Sequence, residues 1–152
     1  MLDSLGHWQG VWKDLQQLGI AYALTAIIGW DREKEEHSTG LRTFPIVGMA
    51  SCGYLLVLGS QPEITAQSRV LQGLITGIGF VGGGAILKEG ATVRGTATAA
   101  SIWNAGVIGA SVAMGRIEIA VILAALNLFT LRALLPVKNW IDRKTNPGPG
   151  GS

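Results

Sequence analysis

The chain has 152 residues, of which 48% are hydrophobic and 14% charged, with a formal net charge of +2. The length fits one domain, and a soluble domain of that size carries about 25% charged residues, so a water-soluble enzyme is close to excluded. One cysteine, Cys52, excludes an intrachain disulfide framework, and a net charge this small gives no reason to expect nucleic acid as a partner.

The charges are unevenly placed. Residues 15–30, 43–62, 70–87 and 95–115 carry none. Apolar runs of about 18 residues read as membrane spans. Taken in chain order, the pattern predicts five transmembrane helices over about 15–30, 43–59, 70–87, 97–114 and 117–135. The expected fold is an all-α, polytopic membrane protein with helices packed through small residues. Leu5, Trp8 and Trp12 recur at helical spacing and predict a short interfacial helix over 1–14. The transmembrane domain then covers 15–137. Residues 138–152, basic at first and Pro/Gly-rich at the end, are expected to form a flexible cytoplasmic tail. No removable signal peptide is expected, because no basic stretch precedes an apolar core and small-residue cleavage site.

Orientation follows from the basic residues. With the N-terminus outside, the outer segments hold Lys13, Arg69 and Arg116. The inner segments then hold Arg32, Lys34, Arg42, Lys88, Arg94, Arg132, Lys138, Arg143 and Lys144. That asymmetry predicts N-out, C-in. Glu118 and Arg132, near the ends of the fifth span, can snorkel to opposite interfaces.

The third span holds Gly73, Gly77, Gly79, Gly82, Gly83 and Gly84. Residues 77–82 read GIGFVG and fit the dinucleotide pattern GxGxxG. The context is wrong, with no βαβ unit and no acidic residue near the expected downstream offset. Close helix packing is the preferred reading, since Gly73/Gly77 and Gly79/Gly83 are GxxxG pairs. Gly106/Ala110 and Gly109/Ala113 in span four, and Ala21, Thr25 and Gly29 in span one, repeat the theme. A second reading has Gly82–Gly84 breaking the helix at depth to expose backbone groups to an ion or polar ligand.

Polar residues supply the other candidates. Glu33–Glu36 read as a solvated loop. Asp31, Arg32 and Arg42 stand at the hydrocarbon edge, where charges favour pairing, and Lys88 and Arg94 lie on a second inner loop. A cytoplasmic-side cluster of these five is expected. Thr98, Trp103 and Asn104 lie in the spans, with Ser101, Gln72, Thr76 and Asn127. Asn104 serves equally as a cross-helix bond or a ligand group.

Three ordered blocks resemble a known family. Residues 29–32 (GWDR) and 39–43 (TGLRT) resemble the GLER…AGLRT signature of the MgtC/SapB family. Residues 77–88 (GIGFVGGGAILK) resemble its GIGFLGAGxI block, and 93–103 (VRGTATAASIW) its VxGLTTAASLW block. The resemblance implies a bacterial inner-membrane protein of about five spans, linked to growth at low magnesium and to survival of pathogens within host cells. It maps the family's functional positions onto Asp31, Arg32, Gly40, Arg42, Thr43, Gly79, Gly82, Gly84, Gly95, Thr98 and Trp103. The chain departs from the pattern at Asp31, where the family has Glu, at Thr96–Ala97 and at Gly83. The chain stops soon after the last span, whereas the best-known members continue into a cytosolic domain resembling ACT domains.

Function is then a choice between classes. Mg²⁺ asks for octahedral oxygen ligation, usually with one or two carboxylates, and none of the ten carboxylates lies mid-span. That favours a regulatory or ligand-sensing membrane module over an oligomeric Mg²⁺ channel or carrier, which stays as the alternative. No metal site is assigned and no cofactor is expected beyond a possible Mg²⁺ ligand. Enzyme function is not expected, since no nucleophile–base pair is apparent and His37 sits in a polar loop. The expected partners are the lipid bilayer and a second copy, with a dimer favoured. The resemblance adds another membrane complex, such as ATP synthase.

Overall fold

The computed structural model describes residues 2–36, 40–59, 63–90, 92–136 and 140. His37, Thr39 and, Trp140 apart, the tail expected over 138–152 lie outside the described residues. The architecture is all-α apart from one small hairpin. Its elements are α1 (Leu2–Glu36), α2 (Thr43–Leu56), α3 (Ile64–Gly84), β1 (Leu87–Glu89), β2 (Thr92–Arg94), α4 (Thr96–Ala113) and α5 (Ile117–Ala133).

Each expected span coincides with a helix, with ends set by local chemistry. α1 joins the segment expected at the interface to the first span in one helix of 35 residues. At 1.5 Å per residue it extends roughly 52 Å. Pro45 falls in the first turn of α2, where its missing N–H breaks no helical bond. α2 stops at a left-handed Gly59 (φ +79°), whose N–H donates to Leu56 O at 3.0 Å. α3 runs unbroken to Gly84, so Gly82–Gly84 close a helix and do not interrupt one. The Ala85 and Ile86 amides turn back onto the carbonyls of Gly82 and Gly83 at 3.0 and 3.1 Å.

The second inner loop is an antiparallel hairpin pairing Leu87 with Arg94, Lys88 with Val93 and Glu89 with Thr92. Gly95 follows at φ +81°, where a Cβ would lie 2.0 Å from Ala85 O. Only glycine fits there, and it launches α4.

α4 is the central helix, packed on α1, α2, α3 and α5 and buried along most of its length. Small residues bring it close to its neighbours. A Cβ on Gly109 would stand 2.0 Å from Gly48 O, one on Gly106 2.1 Å from Ile78 Cδ1, and one on Gly48 2.6 Å from Thr25 Oγ1. The small-residue faces expected on spans one and four are therefore used, and Gly48 of α2 completes them. Ala21, Ile28, Phe44, Cys52, Ile102, Ala105, Ile108, Val112, Ala120 and Ala124 form the core around this seam.

The glycine face expected on span three behaves differently. A Cβ on Gly73, Gly77, Gly79, Gly83 or Gly84 meets nothing within 4 Å. Only Gly82 of that run packs closely, 3.1 Å from Ala99 O. The physical reason is that α3 leans on α4 and touches α2 only lightly: Gly73 and Gly77 line an apolar groove left open between α3 and α2, and Gly79 and Gly83 lie on another face of the helix.

No helix among the described residues is long and apolar enough to cross a membrane. α2 and α5 have 14 and 17 residues, or roughly 21 and 26 Å at 1.5 Å per residue. α1 and α3 are longer, but charged and amide residues dilute their apolar stretches. The expected five spans are therefore present as helices and not as self-evident membrane crossings.

Candidate functional site

The alternating helix directions gather the end of α1, the start of α2, the hairpin, the start of α4 and the end of α5 at one pole of the bundle. Asp31 sits here in the last turns of α1. Its carboxylate is 10% exposed and takes two guanidinium partners. Oδ1 accepts from Arg132 Nε at 2.8 Å, and Oδ2 faces Arg32 Nη2 at 3.4 Å. The first bond is the stronger. It is short and charge-assisted, whereas neighbouring residues on a helix do not face one another well. It also ties α5 to α1 across 101 positions of sequence.

Burial sets the energetics. Arg32 is 4% exposed, while Arg132 is 69% exposed and reaches inward from the surface. Removing one member of a buried ion pair costs about 3–5 kcal/mol, because the other charge is left without compensation. Two guanidiniums on one carboxylate leave the trio with a formal excess of one positive charge.

Glu33 departs from the expected solvated loop. Its Oε2 accepts the N–H groups of Gly40 and Leu41, each at 3.0 Å, and so ties the end of α1 to the approach of α2. Gly29 and Gly40 meet at this corner. A Cβ on Gly40 would stand 2.3 Å from Gly29 O, and one on Gly29 2.6 Å from Gly40 O. The glycines of the first family-like block are thus explained by backbone contact.

The rest of the expected cluster does not converge. Arg42 caps α2 and is exposed, and Thr43 is half-buried beside it. Lys88 and Arg94 are exposed on the hairpin. Lys88 pairs with Val93 and Arg94 with Leu87, and strand side chains alternate between faces. Lys88 and Arg94 therefore project to opposite sides. Among the described residues no ion pair joins Asp31 to Arg42, Lys88 or Arg94. Arg132 takes that place. The sequence predicts only that it snorkels to an interface, opposite to Glu118, and no local pattern links it to Asp31.

Deeper in the bundle, Thr98 is 2% exposed and Trp103 is 47% exposed. Asn104 Nδ2 donates to Leu123 O at 3.3 Å, and Ser101 Oγ donates to Asn127 Oδ1 at 2.9 Å. Both bonds cross from α4 to α5, so Asn104 is used as a cross-helix tie. Asn127 Nδ2 is buried with no hydrogen-bond partner among the described residues. Among those residues no group of three or more His, Cys, Asp or Glu is placed to hold a metal ion.

With this geometry in view, comparison with known proteins is informative. The MgtC family model matches residues 18–140. The chain belongs to the MgtC family. The match encloses Asp31, Arg32, Arg132, the hairpin and the polar ties between α4 and α5. The protein MgtC of Brucella abortus is 33% identical over 82% of this chain and 54% of its own. The protein SrpB of Synechococcus elongatus is 33% identical over 81% of this chain and 76% of its own. An uncharacterised protein of Synechocystis is 31% identical over 87% of this chain and 56% of its own. The chain thus spans a little over half the length of several of these family relatives. No solved structure matches it.

Proposed function

We propose that this family member is a multi-pass protein of the bacterial inner membrane, N-terminus out. It supports growth at low magnesium as a regulatory or ligand-sensing module, through the charged trio at its cytoplasmic pole. Membrane placement is supported by the family and by the surface. Trp8, Trp12, Tyr22, Ile46, Tyr54, Ile75, Phe80, Ile122, Leu126 and Phe129 are all about half exposed or more. So much apolar surface needs a covering medium. Short helices such as α2 are accommodated by local thinning of the bilayer or by tilt of their longer neighbours.

One observation carries the regulatory reading. The carboxylate of Asp31 has each oxygen turned to a guanidinium. A cation bound there would have to compete with two guanidinium charges for the same carboxylate, which favours an internal ion pair over a Mg²⁺ path at this pole. The face of α3 with Gly79 and Gly83 suits a second copy or another membrane complex, because exposed glycines permit close helix approach in lipid. Growth on limiting magnesium tests the reading. Asp31→Asn and Arg132→Gln should each remove the growth benefit at wild-type levels of membrane-inserted protein, and Glu118→Gln should not. Full growth with both variants would overturn it.

A further inference from the structure

The pole opposite Asp31 holds a cavity of about 490 Å³, within the size range of small-molecule sites. α1 contributes Lys13, Asp14 and Gln17, α3 contributes Gln67, and the ends of α2 and α4 close it at Leu56 and Ala113. Its chemistry is two-signed. Helix C-termini carry partial negative charge, and two of them meet here beside the carboxylate of Asp14. Gln17 Nε2 engages two of the α4 carbonyls, donating to Val112 O at 2.9 Å and Ala113 O at 3.3 Å. Lys13 provides the opposite charge on the same wall. As neighbours in a helix, Lys13 and Asp14 point apart, and among the described residues they form no ion pair with one another. Both are exposed and line the cavity, so each can meet the opposite charge of a ligand seated there. Trp12 lies exposed beside them on α1, and an exposed Trp marks headgroup depth in a membrane protein.

We infer that this cavity binds a phosphate–ammonium zwitterion, the chemistry of a phosphatidylethanolamine headgroup. The ammonium lies toward Asp14 and the two helix ends, and the phosphate toward Lys13. The inference rests on the membrane placement proposed above, but not on the Asp31 trio. Lys13 and Asp14 also precede the segment matched by the family model, which begins at residue 18.

The full chain, purified in detergent and stripped of lipid, is loaded equally with phosphatidylethanolamine or phosphatidylglycerol, and retained lipid is measured by native mass spectrometry. Phosphatidylethanolamine should be retained several-fold better. Asp14→Asn and Lys13→Gln should each lower its retention about three- to fivefold, the scale of an exposed charge contact. Arg116→Gln, at the same pole but outside the cavity, should leave it unchanged. Free phosphoethanolamine is added as competitor: displacement shows that the headgroup suffices, and resistance shows that the acyl chains contribute, both in keeping with the site. Equal retention of the two lipids, or unchanged retention in both cavity variants, would overturn the inference. Flotation of the same protein with phosphatidylglycerol vesicles separates the two ideas. A chain that floats but shows no preference refutes the site alone, and one that does not float refutes the membrane placement and the site with it.

Discussion

Asp31 is the residue on which the candidate site turns, because it is the one buried carboxylate among the described residues and two guanidiniums contact it. Replacing it with Ala removes the carboxylate that Arg32 and Arg132 share at a buried position, and the expected loss is about 3 kcal/mol. Arg132→Ala should cost less, about 1 kcal/mol, since Arg132 is mostly exposed and Asp31 keeps Arg32. Denaturant titration in detergent, followed by Trp fluorescence, gives both values, and equal losses would contradict this ranking. A double-mutant cycle on Asp31 and Arg132 should return a coupling of about 0.5–3 kcal/mol. Sequence alone identified Asp31 and Arg32, because charges at a span edge stand out against apolar neighbours. It missed Arg132, since a partner 101 positions away has no local signature. It also read Glu33 as solvated, because nothing in a run of acidic residues shows which one reaches backbone amides.

At the scale of elements, the glycines separate into those that pack within the chain and those that do not. Gly109→Ala should destabilise strongly, by about 3 kcal/mol or more, since the added methyl would meet Gly48 O and backbone cannot move aside. Gly77→Ala should be neutral or slightly stabilising for the isolated chain, given open space and the better helix propensity of Ala. Thermal melts of the two variants check the contrast, and a neutral Gly109→Ala would sink the account of the α2–α4 seam. Gly95→Ala should also be severe, because its positive φ and the Ala85 carbonyl both exclude a side chain. The positions of the helices were legible because charge-free runs mark them. The role of the third run's glycines was not, since a GxxxG spacing shows that a face is smooth and not what lies against it. The hairpin over 87–94 was hidden by its brevity: three-residue strands leave no periodicity to read.

For the whole molecule, the two poles divide the work. One holds an ion-paired carboxylate that braces α1 against α5, and the other an open cavity with both signs of charge. α4 joins them as a buried shaft, tied to α5 at Asn104 and Ser101. Asp31, Arg32 and Arg132 are engaged with one another where α1 meets α5, which suits a module that responds or docks. The direct test is Mg²⁺ entry into sealed liposomes containing only the purified chain, followed with a trapped magnesium indicator under an imposed gradient. The account predicts entry no faster than in protein-free vesicles. Rapid entry that Asp31→Asn abolishes, with the variant inserted normally, would contradict it.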